Sequence, residues 1–244
     1  IIKAFQVTYF PFAIEHFDRY DMSTSLSHYE NLDEIYFTIV HKLDLLNDYI
    51  DRMETNNAEI FMNLNRIDYR SRRNALFVWK YSDIRDNIRR LFAGEKITLL
   101  ADVKKSPFNA MKFKQIDLYF RSSQRNVTED LNKALKRFQV EMAHNGTMSY
   151  RCNNNFYQFV TNPLSLSFSF RIDKRGLAVT RQSTYDTLLR NKPVLSPYAS
   201  WEIQIVSDHN EDVSQLAAFS GFPIDIELHG TGEIAPQGLL SCDN

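Results

Sequence analysis

Trp201-Glu202-Ile203-Gln204-Ile205 alternates apolar and polar residues at every step. Successive side chains of a strand point to opposite faces, so this spacing buries Trp201, Ile203 and Ile205 and leaves Glu202 and Gln204 in water. One apolar face and one polar face is the pattern of an antiparallel sheet covered on one side. The same period of two recurs in both directions along the chain. Upstream it is carried by Ile97, Leu99 and Ala101, by Ile116, Leu118 and Phe120, by Phe138, Val140 and Met142, and by Leu166, Phe168 and Phe170. Downstream it returns in Ile224, Ile226 and Leu228. Most of these strands have no helical pattern between them, which predicts an antiparallel β-sandwich over residues 95–244, with a short helix at residues 183–190 on a connection.

Ahead of Gly94 the period is different. Leu32, Ile35, Ile39, Leu43, Leu46, Ile50 and Met53 are three or four residues apart and line one face of a helix that must bury its stripe against something. Ile60, Leu64 and Ile67 keep that spacing. Trp79, Ile84, Ile88, Leu91 and Phe92 suggest a further helix, with Gly94 placed for a left-handed C-terminal cap. Residues 31–93 thus read as two or three helices, and residues 1–94 as a mostly helical, stalk-like segment. The fold class is α+β, with its boundary near Gly94. The first 27 residues are crowded with aromatics, and Pro11 argues against a central strand there.

The 43% hydrophobic fraction is enough for a proper core, so disorder is excluded. Lys and Arg number 29 against 30 Asp and Glu, a balance that gives no pull toward nucleic acid. No apolar run is long enough to span a membrane. The chain starts at Ile1 without an initiator Met or an apolar leader, which reads as an internal or processed start.

Two cysteines are too few for a disulfide scaffold or a zinc site made of cysteines alone. Paired, Cys152 and Cys242 would pin the C-terminal tail back to the sheet and contribute on the order of 3 to 4 kcal/mol. The acceptor sequons at Asn126 and Asn145 are expected in turns between strands, where a glycan is tolerated. Sequons and a cysteine pair together point to a secreted, extracellular protein.

No constellation for chemistry emerges, so neither an enzyme nor a cofactor is expected. The six histidines lack the i+2 or i+4 spacing of a metal pair and are expected at the surface or at strand ends. Asp225 and Glu227 share a strand face, but a solvated sheet gives that pattern without acid–base function. No nucleophile elbow or phosphate-cradling glycine loop occurs. Arg70, Arg72 and Arg73 read as a solvated joint between helices. Phe156, Tyr157 and Phe159 allow two readings: a sugar-stacking platform or core aromatics, with core preferred.

Three pieces of the C-terminal part carry a family resemblance: Phe113-Lys114-Gln115-Ile116-Asp117-Leu118, Leu195-Ser196-Pro197-Tyr198 leading into Trp201-Glu202-Ile203-Gln204-Ile205, and Ile224-Asp225-Ile226-Glu227-Leu228-His229. Their order resembles the C-terminal β-sandwich of the A subunit of insecticidal Tc toxins, and Ile88-Arg89-Arg90-Leu91-Phe92 resembles the end of that family's stalk helix. In that family the domain helps dock a toxin-carrying cocoon onto a pentameric channel. The resemblance therefore implies a non-catalytic docking module, with other protein subunits or the rest of a parent chain as partners, and transfers no catalytic residue. The long channel-forming coiled coil and its apolar hairpin do not occur in this sequence, so the resemblance does not extend to pore formation. The alternative function is a carbohydrate-binding sandwich that takes glycans on Phe156, Tyr157 or Trp201.

Overall fold

A computed structural model describes residues 31–56, 65–68, 75–160, 166–172, 178–181, 195–207, 211–235 and 242. The aromatic N-terminal segment, Ile60 and Leu64, the Arg70–Arg73 cluster and the expected helix at 183–190 lie outside these residues.

Helix α1 spans Leu32–Asn56, and the Asn31 side chain starts it by accepting the Glu34 backbone N–H at 2.9 Å. Strands β1 (Asn65–Asp68) and β2 (Phe77–Trp79) follow. Helix α2 (Tyr81–Phe92) buries Ile84, Ile88, Leu91 and Phe92. It ends as its glycine suggested: Gly94 has φ +86°, the Gly94 N–H bonds the Leu91 carbonyl, and the Glu95 N–H bonds that of Arg90. This pair of bonds is a Schellman cap, and it needs the left-handed residue that glycine supplies without strain.

Strands β3 (Ile97–Leu100), β4 (Lys112–Ser122), β5 (Phe138–Cys152), β6 (Asn155–Val160), β7 (Leu166–Ile172), β8 (Ala178–Arg181), β9 (Ala199–Ser207) and β10 (Ile224–Ile234) make up the rest, with helix α3 (Arg125–Leu135) between β4 and β5. All pairings are antiparallel. In the first sheet β10 is central: β4 pairs along its whole length on one side, while β2 takes residues 226–228 and β1 residues 231–234 on the other. In the second sheet the order is β3-β9-β5-β7-β8, and β6 lies end to end with β7 along β5.

The sheets face each other through aromatic rings. Phe113 of β4 lies 5.9 Å from Trp201 of β9 and 6.2 Å from Phe168 of β7, centroid to centroid, and all three are buried. Large interlocking rings of this kind supply much of a sandwich's burial energy. The α+β class and the antiparallel sandwich stand.

Several boundaries differ from those the sequence suggested. Ile67 lies in β1 and Trp79 in β2, so the sheet begins upstream of Gly94, and residues 65–68 and 77–79 are strands of the sandwich. Three- and four-residue strands are too short to reveal a period, and their place is fixed by hydrogen bonds to the distant β10. Helix α3 was not anticipated, although Val127, Leu131 and Leu135 are four apart and buried. Where β10 passes β4, Gly230 (φ +150°) is so close that a Cβ would stand 1.9 Å from the Gln115 carbonyl oxygen, so no side chain fits.

Candidate functional site

Alternation along β10 sends Asp225, Glu227 and His229 to the side opposite the buried Ile224, Ile226 and Leu228. Each acid there is engaged. Asp225 accepts the Tyr81 backbone N–H and the Lys80 ammonium, both at 2.8 Å, and so caps helix α2 from across the fold. That hydrogen bond is the main cause holding the Lys80 pKa above its ordinary value. Glu227 meets His229 Nε2 at 2.8 Å and the Arg121 guanidinium at 3.3 Å, and Glu233 pairs with Lys114. Tyr119 stands edge-on to the His229 ring at 4.7 Å. Glu227 and His229 are both buried, so the surface histidine expected here is an interior one. The arrangement ties β4 to β10 by cross-strand pairs.

His144 is the second interior histidine and again departs from the surface placement expected of it. Its Nδ1 accepts the Gly146 N–H at 2.9 Å and its Nε2 faces the Ser196 carbonyl at 3.2 Å, so the neutral ring with hydrogen on Nε2 satisfies both. Burial pushes its pKa from 6.5 down to about 4, against a smaller upward effect of the Ser196 bond. The ring packs edge-on against Trp201 at 4.8 Å.

Trp201 has no exposed surface, and its indole N–H bonds the Pro197 carbonyl at 2.9 Å. It is therefore a core ring and takes no part in a sugar platform. Tyr157 packs against the core, and only Phe156 of the three faces outward, 49% exposed. Phe159 packs against the core with Tyr157, so the preference for core holds for these two and fails for Phe156, because alternation on β6 puts Phe156 on the face opposite Tyr157 and Phe159.

Cys152, at the end of β5, is joined to Cys242 across 90 residues with Cα atoms 4.9 Å apart, and both are buried. Asn126 is exposed in the first turn of α3, and Asn145 is exposed in a β-bulge of β5 between His144 and Met148. Neither lies in the turn between strands that was expected. The helix spacing after Asn126 and the positive φ of Gly146 (+83°) inside β5 account for the difference.

A depression of about 110 Å³ over β3, β5 and β9 is lined by Lys96, Glu141, Glu202 and Gln204 among others, and a Lys96–Glu202 ion pair at 3.3 Å crosses it. That is well below the roughly 300 Å³ at which ligand pockets begin. Among the described residues, no His, Cys, Asp and Glu gather as a metal site would need, and no helix is long and apolar enough to cross a membrane.

Helix α1 is the conspicuous surface. Leu32, Tyr36, Phe37, Ile39 and Leu45 are all exposed, Phe37 at 69%. Comparison with protein-family models, with curated proteins and with solved structures finds no match.

Proposed function

We propose that this chain is a non-catalytic protein-docking module of a larger secreted, Tc-toxin-like protein, with helix α1 as the element that meets the rest of the assembly. The observation that carries the reading is that α1 leaves five large apolar side chains, Leu32, Tyr36, Phe37, Ile39 and Leu45, exposed around the helix, including Leu32 and Ile39 of the stripe expected to be buried. Several large apolar side chains left in water on one element mark an interaction surface. The ion-paired acids of β10 support the non-catalytic part, since each is committed to holding the fold. A buried disulfide together with exposed sequon asparagines supports an extracellular location. Of its three rings, the glycan-binding alternative keeps only Phe156 as an outward-facing one.

The test is the combined substitution Y36S, F37S, I39S and L45S in the intact parent protein. Assembly, read by sizing with light scattering, should be lost while the melting temperature of the sandwich is unchanged. An unchanged assembly, or a sandwich that melts earlier because α1 packs on it, overturns the reading.

A further inference from the structure

Among the described residues, β6 is paired on one side only, with β5. The two strands close a two-residue turn at Asn153-Asn154, with Asn153 at φ +54°. In such a hairpin the flanking pair Cys152–Asn155 exchanges hydrogen bonds, and every second pair after it does so too. Asn155, Tyr157 and Phe159 therefore spend their backbone groups on β5. Phe156, Gln158 and Val160 turn theirs the other way, toward the edge that no described strand pairs. Their side chains share the outer face, where Phe156 is 49% and Val160 55% exposed. Edge strands are ordinarily protected by a charge, a proline or a bulge, and Asn-Phe-Tyr-Gln-Phe-Val contains none of these.

The geometry points to β6 as a homodimer interface, pairing antiparallel with β6 of a second copy to join the two β5/β6 sheets into one. The occupant follows from the register. A two-fold axis at Gln158 sets it opposite its own copy and places Phe156 opposite Val160 in both directions, an aromatic against a β-branched residue each time. With no charge on the strand, the pairing brings no like charges together, and a partner chosen by charge would find nothing to bind. Arg151, opposite Phe156 on β5, has its guanidinium bonded to the carbonyls of Ser106 and Asn153. This interface is independent of docking through α1, which lies elsewhere in the chain.

Sedimentation equilibrium of the 244-residue chain from roughly 1 to 100 µM should show a monomer–dimer equilibrium. The dimer should persist when Tyr36, Phe37, Ile39 and Leu45 are serine, which separates this interface from the α1 reading. F156K/V160K, both at exposed positions, should raise the dimer Kd by at least about tenfold with an unchanged melting temperature. Q158C should cross-link to its own copy on mild oxidation, while S123C, on a different surface, should not. A chain that stays monomeric over the whole range overturns the proposal, and if its Phe156 and Val160 amides are protected from exchange, the edge is covered from within the chain instead. A dimer indifferent to F156K/V160K, or cross-linking equal at both cysteines, overturns it as well.

Discussion

His144 shows what one buried ring does to the pH response of the whole fold. Unfolded, it takes a proton near pH 6.5; folded, it resists one until about pH 4, because burial removes the solvent a charged imidazole needs. The unfolded state therefore binds more protons between those values, and stability falls as pH drops through that window while being fully present above it. The full span corresponds to about 3 kcal/mol. Urea unfolding at pH 7.5, 5.5 and 4.5 should show that loss, and H144Q, though weaker at neutral pH, should have a shallower slope. The sequence carried the signal: Phe138, Val140, Met142 and His144 are two apart, so the period that buried the first three also buried the fourth. The polarity of imidazole, which favours the surface or a strand end, opposes that period, and the hydrogen bonds to Gly146 and Ser196 outweigh it. No comparable signal marked His229, whose burial depends on Glu227, Tyr119 and the β4 register.

Helix α2 illustrates what sequence can and cannot show of an element. Its apolar spacing and its glycine stop are local and legible. Its start is not, since Lys80 makes no side-chain cap and the cap arrives from Asp225, 144 residues beyond Tyr81. D225A should cost about 1 kcal/mol in urea unfolding, the usual cost of losing a capping side chain, and D225N should cost less because it keeps an acceptor. Strands β3, β4, β5, β7, β9 and β10 were legible for a related reason, each alternating apolar and polar residues over enough length to show a period, even where the polar side of β4 and β10 is itself buried at Asp117, Glu227 and His229. Strands β1 and β2 are held by β10 and carry no pattern of their own. The bulge at Asn145 hid the continuity of β5 and turned a mid-strand sequon into an apparent turn.

At the scale of the molecule, the two facing sheets are assembled from strands distant in sequence, with β10 near the end of the chain pairing strands from its first half. The class was legible from repeated alternation. The place where the sandwich begins was not, because it depends on which strands β10 selects. The cysteine link adds a different kind of closure, covalent and independent of packing. A single backbone cut anywhere between Cys152 and Cys242 would split the protein into two polypeptides without separating them. Partial trypsin digestion limited to the Lys174, Arg175 and Arg181 sites should leave one band on a non-reducing gel and give two once reductant is added; two bands in both lanes would mean the link is absent. A protein joined in this way tolerates maturation by protease at those sites, keeping β9 and β10 on a tethered second chain.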